Sequence, residues 1–448
     1  IEPFAQAQKE ILGDDHAYPM IALGTMKTSA SWKLFAKACD IPFETANAVS
    51  EQLKKYDRAL KYSDDDEKDN ISIYDFVDNH YINLVKESEK YNKTVVSWSI
   101  APSAYLLYQG SIEEEIGLVR IKDKMCCLMD GHWAEDNRFL KNDLLKVVVV
   151  DLIDQVFKEI GKPRLSVDEL LQTCVPTDKA WNVYATACTM GVNQVEQSGT
   201  AGRVAKFKPT NIAELCAFVA AIRPGFKSMY KKFESREPFS YNIPSFDKLI
   251  QTKWMPNSFV LYQEPIMRTL NYAGIVMSEC YAAIKNISKK RVEKVLILKE
   301  QFTRGFAQAL TEKESMLPDT ARSVADKVWQ IVEDNSGYGF NASHAYCVAL
   351  DSLYCAYLKS HYPTEFYGVY IRLMTDAGKK EKVQAAQGEA ESYYRIKFPP
   401  FRFGQDNSQI AIDAENKSIY KPLSSIKGFN KQAGLVLAAV RDNQYNYL

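Results

Sequence analysis

Between Pro163 and about residue 395 the chain reads as helix after helix, broken at Pro176, Pro209, Pro224, Pro238, Pro244 and Pro256. Proline lacks a backbone N–H and fixes φ, so these positions separate helices, and the stretch predicts one large helical unit. What precedes it has a different texture. From Val95, runs rich in β-branched and aromatic residues, Val95-Val96-Ser97-Trp98 and Ala104-Tyr105-Leu106-Leu107-Tyr108, predict strands. Residues 139–145 predict another strand, feeding a helix from about Val147 to near Gly161. Residues 25–60 carry apolar positions at helical spacing on both sides of Pro42, with Thr25 or Thr28 as candidate caps. Asp64-Asp65-Asp66 reads as an acidic loop, followed by an amphipathic helix through Ile73, Phe76, Val77, Tyr81 and Leu84. Beyond Pro399-Pro400, a turn-rich segment with short strands leads to Ile426-Lys427-Gly428-Phe429 and a last helix containing Leu435, Val436 and Ala439. The reading is α+β: multi-domain, predominantly helical, with one small sheet. A length of 448 residues is more than one hydrophobic core supports.

Composition narrows the class. Hydrophobic residues make up 46% and charged residues 25%, as in ordinary globular protein. Lys and Arg number 56 and Asp and Glu 56, so a nucleic-acid surface has to be a local patch. The nine cysteines are odd in number and scattered, with Cys126 and Cys127 adjacent and no CxxC pair, which predicts reduced, mostly buried thiols. No apolar run reaches membrane-spanning length and the start lacks signal-peptide character, so the chain reads as cytosolic with no membrane partner. The first residue is Ile, and the last residues, Arg441 to Leu448, form neither a cap nor a polar tail; the chain reads as a piece of a longer frame.

Three places carry chemistry. Lys141 and Asp143 stand two apart in the strand over 139–145, so their side chains leave the same face. A carboxylate that can hold Mg²⁺ beside an ammonium that can neutralise a phosphate oxygen suits phosphoryl transfer, and the same spacing suits a solvated ion pair. Tyr338-Gly339-Phe340-Asn341-Ala342-Ser343-His344 precedes an apolar helix, which would put hydrogen-bond donors at a helix N-terminus, where anions are attracted. The basic run from Lys285 to Lys294 includes Lys289 and Lys290, with Ser288 placed to cap a helix whose core side shows Val292, Val295, Leu296, Phe302 and Phe306. No GxxxxGK[ST], HExxH, GxSxG or zinc-ligand spacing occurs, which excludes the common nucleotide-hydrolase, zinc-peptidase and serine-hydrolase readings.

Taken in order, the segments resemble the C family of bacterial replicative DNA polymerases, the polymerase III alpha subunits. The resemblance is carried by Gly24 to Lys27, Lys141-Asn142-Asp143-Leu144-Leu145, Gly191 to Glu196, Ile222-Arg223-Pro224-Gly225 and Leu261-Tyr262-Gln263-Glu264. It continues through Ser288-Lys289-Lys290, Tyr338 to His344, Leu358-Lys359-Ser360-His361-Tyr362-Pro363 and Ser425 to Gly428. It implies a nucleotidyltransferase-like palm over 1–25 and 95–150, a thumb over 26–94, fingers over 151–395 and the start of a helix-hairpin-helix region over 396–448.

The implied activity is template-directed transfer of dNMP from dNTP to a primer 3′-hydroxyl in DNA replication. The implied partners are primer-template DNA and, through missing regions, a sliding clamp and other replisome subunits. In such a polymerase three aspartates hold two Mg²⁺ ions; Asp143 would be the third, while the first two would fall before Ile1. The resemblance gives Lys141, Lys285, Lys289, Lys290, Tyr338, Asn341, Ser343 and His344 as nucleotide contacts. A lone Asp143 is too little to hold two metals, so the chain by itself is expected not to polymerise. Departures mark a diverged lineage, with a bacteriophage as the expected source. Ala342 stands for a usual lysine, Ile284 for an arginine, Asn193 for a phenylalanine and Ala101 for a histidine, and Pro-Gly-Phe for Pro-Gly-Pro. A degenerate, non-catalytic DNA-binding or assembly subunit is the alternative.

Overall fold

The computed structural model describes residues 2–62, 71–223, 226–252, 257–289, 291–336, 339–400, 409–423 and positions 426, 429, 432 and 436. The acidic loop Asp64 to Asp66, Pro224-Gly225, Pro256, Lys290, Tyr338, Lys427-Gly428 and, in the last helix, Leu435 and Ala439 lie outside the described residues. The chain divides into two compact units, Ile1–Lys146 and Val147–Leu448.

The first unit contains α1 (Glu2–Leu12), β1 (Ala17–Thr25), α2 (Thr28–Ala38), α3 (Phe43–Tyr62), α4 (Asn79–Glu89), β2 (Val95–Leu107), α5 (Ile112–Glu115), β3 (Leu118–Ile121), β4 (Lys124–Cys127), α6 (Gly131–Asp136) and β5 (Leu140–Asp143). The strands form one mixed sheet in the order β3-β4-β1-β2-β5, with only β1 and β4 parallel. The two apolar runs after Val95 are one long strand, β2, whose first residues are exposed and whose last part is buried. Met20, Ala104, Leu106, Cys127, Met129 and Ala134 form the core on one face of this sheet.

A separate small core joins α2, α3 and α4 around Trp32, which is 0% exposed and donates its indole N–H to the Ala46 carbonyl at 2.8 Å. Pro42 separates α2 from α3 as its sequence position requires. The caps differ from expectation. Thr25 ends β1, Thr28 is the first residue of α2, and Lys27 occupies the N-cap position with no side-chain bond. The expected helix from Ile73 is a single 3₁₀ turn, Ile73–Asp75, followed by α4, whose N-cap Asp78 accepts from the His80 N–H. Asp75 and Asp78 are therefore capping groups, satisfying orphan N–H donors at helix starts.

The second unit is helical, with a terminal hairpin. Its elements are α7 (Val148–Glu159), α8 (Val167–Thr173), α9 (Ala180–Ala185), α10 (Ser198–Phe207), α11 (Ile212–Ala221), α12 (Lys227–Glu234), α13 (Pro244–Ile250) and α14 (Gln263–Tyr272). They continue with α15 (Met277–Ser288), α16 (Val292–Glu314), α17 (Pro318–Ser336), α18 (Ala342–His361), α19 (Pro363–Asp376), α20 (Lys380–Ser392), β6 (Ala411–Asp413) and β7 (Ser418–Tyr420). The prolines at 244, 318 and 363 open helices rather than merely interrupting them, because the first turn has no use for the missing N–H.

Helix α18 is the spine: from Ala345 to Lys359 it is buried on most sides, among α7, α9, α11 and α19. A helix apolar nearly all round belongs in a core. A second core binds α13 to α17 around Phe302, Phe306 and Trp329. Ser288 does not cap α16. It is the last residue of α15, its hydroxyl donates back to the Lys285 carbonyl at 3.1 Å, and Arg291 holds the N-cap position of α16. Phe302 and Phe306 are core as expected, whereas Val292 and Leu296 are 68% and 61% exposed.

Candidate functional site

Lys141 and Asp143 sit on β5, an edge strand held to β2 with Lys141 opposite Leu106 and Asp143 opposite Ala104. Directly paired residues of antiparallel strands share a face, so both side chains lie on the side of the buried Leu106 and Ala104. Helix α6 covers part of that side. The Lys141 stem passes beside Gly131, the first residue of that helix, where a Cβ would lie in ordinary contact at 3.6 Å from Lys141 Cδ. The ammonium then reaches Glu135 at 2.8 Å and Asp143 at 3.5 Å. The Glu135 carboxylate, accepting a hydrogen bond, is the main reason that the Lys141 pKa lies above the ordinary lysine value, with the Asp143 charge adding to it. Lys141 is thus a cation between two solvent-exposed carboxylates, Glu135 at 61% and Asp143 at 43%. Glu135 could not be picked out from sequence, because a six-residue helix lacks the length to show which way its residues face.

Mg²⁺ needs several oxygen ligands in near-octahedral array. Asp143 and Glu135 are the acids on the Lys141 ammonium, and among the described residues no group of three or more His, Cys, Asp or Glu side chains could hold a metal ion. The described residues do not by themselves make a metal centre.

In the second unit, segments far apart in sequence meet at the start of α18. Tyr262 and Phe340 form a parallel bridge, with the Gln263 N–H donating to the Phe340 carbonyl at 3.0 Å and the Phe340 N–H to the Leu261 carbonyl at 3.1 Å. Asn341 is the N-cap of α18, its side-chain oxygen accepting from the His344 N–H at 2.8 Å. Both oxygens of Glu264 accept from the Ala342 N–H, at 2.9 and 3.1 Å, from 78 residues away. The anion at this helix N-terminus is therefore a side chain of the protein, and two of the N–H groups that could meet a phosphate are bonded internally. The Ser343 and His344 side chains are exposed, and the His344 ring meets Phe340 edge-on at 5.2 Å.

The Arg223 guanidinium lies 4.2 Å from the Phe340 ring centroid, while its Nε is buried with no hydrogen-bond partner among the described residues. Arg223 also lines a cleft of 610 Å³ together with Met190, Gln194, Glu196, Gln197 and Lys382. Parts of the 191–196, 222–225, 261–264 and 338–344 segments thus converge.

Lys285 and Lys289 lie elsewhere, exposed at the C-terminal end of α15, where cations complement the carbonyl end of a helix. The Lys285 ammonium lies 4.9 Å from the Tyr281 ring centroid. Among the described residues no hydrogen bond, ion pair or ring contact joins either lysine to Asn341, Ser343 or His344. Lys290 and Tyr338 are outside the described residues. Glu264→Gln should lower the urea midpoint of this unit by the equivalent of about 1–2 kcal/mol, since a charge-assisted bond at a helix start becomes a neutral one. An unshifted midpoint would show that the bond contributes nothing.

Residues 150–309 match the family described as Bacterial DNA polymerase III alpha subunit finger domain. The DNA polymerase III subunit alpha of Aquifex aeolicus (strain VF5) is 22% identical over 461 residues, covering 96% of this chain and 38% of the relative. That of Streptococcus pyogenes is 26% identical over 275 residues, 61% of this chain and 26% of the relative. That of Mycoplasma genitalium is 28% identical over 339 residues, 74% of this chain and 37% of the relative. The chain spans about a quarter to two fifths of the length of these relatives. These matches support a C-family, DNA polymerase III alpha-like protein.

Proposed function

We propose that the chain is the finger region, with the thumb and part of the palm, of a DNA-directed DNA polymerase that transfers dNMP from dNTP to a primer 3′-hydroxyl during replication. The match of residues 150–309 to the finger family carries this reading. Primer-template DNA and dNTP are its substrates, and clamp or replisome contacts belong to regions outside these residues. It works in the cytoplasm of a bacterial cell, or of a phage-infected one.

In this reading Asp143 is one carboxylate of the Mg²⁺ centre, and the remaining acids come from outside these 448 residues. Lys141 is held by Glu135 and Asp143 on the face where a phosphate would approach. Lys285, Lys289 and Lys290 supply positive charge to the triphosphate, and Tyr338, Ser343 and His344 enclose the nucleotide. Asn341 shapes that wall through its cap. The second reading, a non-catalytic DNA-binding or assembly subunit, draws on the lone strand carboxylate and on Ala342 and Ile284, where the family carries basic residues.

Asp143→Asn in the complete polymerase separates the two. Incorporation is expected to fall by about 10³-fold or more while primer-template affinity stays put, because a charge is lost at the reacting centre and no backbone contact changes. Undiminished incorporation by the variant removes Asp143 from the site, and a complete wild-type protein that never extends a primer leaves the second reading. The isolated chain should leave primers unextended; extension would overturn the view that its metal site is incomplete.

A further inference from the structure

Lys359 of α18 is 0% exposed, and lysine is almost never fully buried unless paired. Its ammonium donates to the Met190 carbonyl at 2.6 Å and to the carboxylate of Glu389 on α20. Glu389 in turn accepts the Met190 N–H, at 3.2 and 3.4 Å to its two oxygens, and the Tyr367 hydroxyl of α19. Both main-chain groups of Met190 are therefore held by one ion pair. Three helices converge on a single loop residue.

The turn after Met190 takes its position from that residue. Gly191 has φ +75°, and a Cβ there would lie 2.9 Å from the Tyr370 ring, so the turn is pinned against α19. Val192 and Val195 are buried, and the Thr189 hydroxyl donates to the Val195 carbonyl at 2.6 Å. Glu196 accepts from the Tyr370 hydroxyl and pairs with Lys382 at 3.0 Å. The same turn brings Gln194, Glu196 and Gln197 to the cleft beside Arg223. A buried ion pair is a weak source of stability, since an apolar pair of like volume does as well or better; what it supplies here is a fixed place for one peptide unit.

We propose that Lys359 and Glu389 are positioning residues: their ion pair clamps Met190 so that the turn over 191–197 presents Gln194 and Gln197 to the Arg223 cleft, and this sets the affinity of the finger region for nucleotide. The last clause rests on the polymerase reading above; the clamp does not.

The test separates clamping from folding. Lys359→Met/Glu389→Met replaces the pair by apolar groups, keeping the core filled while releasing Met190. Alkylation of Cys188, half-buried and two residues before Met190, is tracked by peptide mass against Cys280, buried in the α13–α17 core of the same sample. Compared at equal thiolate fraction from each protein's pH–rate profile, because Lys359 and Glu389 also act on the Cys188 thiol, Cys188 should react about tenfold faster or more in the double variant, the equivalent of 1.4 kcal/mol of lost local protection, with Cys280 unchanged. An unchanged Cys188 rate, or an equal rise at both thiols, overturns the clamp. In the complete polymerase the double variant should raise KM for dNTP about tenfold with kcat nearly retained, the pattern of lost uniform binding. An unaltered KM overturns the positioning role. Should the Asp143→Asn result dismiss the polymerase reading, the labelling result still decides the clamp.

Discussion

Lys359→Met alone is expected to destabilise the second unit by about 3–5 kcal/mol, because it leaves the mostly buried Glu389 carboxylate and the Met190 carbonyl without their cation. The urea midpoint of that unit measures it, and Lys359→Met/Glu389→Met should recover most of the loss, since neither charge is then stranded. A single variant as stable as wild type would mean that water, the Met190 N–H and the Tyr367 hydroxyl are enough to satisfy Glu389. The pH dependence gives the same residue an independent signature. Burial pushes the Lys359 ammonium down to about 8 from an ordinary 10.5, with the Glu389 charge partly opposing the shift. Tyr367, Cys188 and Cys355 are the other titratable groups that face it.

Between those two pH values the unfolded chain binds more protons than the folded one, so this group's contribution rises with pH. It is fully present above 10.5 and is lost as pH falls through 8. Thiols pull the other way: burial holds Cys174, Cys216 and Cys355 up at about 12, so folding is disfavoured as their unfolded forms ionise. The useful quantity is the stability of wild type minus that of the double variant, in which the contributions of thiols away from the pair, such as Cys174 and Cys216, cancel. It should move in favour of wild type by about 3 kcal/mol across the window, at up to about 1.4 kcal/mol per pH unit. A flat difference would show that Lys359 carries no suppressed charge.

The same residue shows where sequence reading stops. As part of Leu358-Lys359-Ser360-His361-Tyr362-Pro363 it is visible as a motif, yet nothing local says that its partner chain lies at Met190, 169 residues away. Glu264 and Ala342 pose the same problem. By contrast, strand alternation alone puts Lys141 and Asp143 on one face, because a period of two leaves no choice once the strand exists. The proline-punctuated helices and the Gly161 stop after α7 were legible for a like reason: each is a backbone constraint written at its own position. The basic corner was not. A serine among lysines reads as a cap by residue type, but Ser288 closes α15, and only the turn into α16 decides which helix it serves. Of the expected stripe of α16, Val295 packs partly against the core and Phe302 and Phe306 are buried in it, whereas Val292 and Leu296 at the start of the helix are exposed. Periodicity gives the direction of a face and not how far along it a neighbour reaches.

Gly305 is a case where no pattern in the sequence announces the constraint. It stands inside α16, where glycine costs about 1 kcal/mol relative to alanine, so helix propensity by itself favours replacing it. A Cβ at that position would overlap the Ala273 carbonyl oxygen outright and lie 2.9 Å from its carbonyl carbon. Ala273 is the C-cap of α14 and is itself buried, with Gly274 and the buried Ile275 directly after it. The obstacle is main chain and cannot swing aside as a flexible side chain does. Either α16 lifts away from α14, opening the packing of Phe306 against Tyr272, or the end of α14 unwinds. Overpacking of this kind costs about 1–3 kcal/mol and more as the added group grows. Gly305→Ala should therefore be destabilising in spite of its better propensity, and Gly305→Val should lose about 3 kcal/mol or more, read from the urea midpoint of the second unit. A more stable Gly305→Ala would mean that α16 and α14 do not approach each other backbone to backbone, and the α13–α17 core would then have to be packed differently.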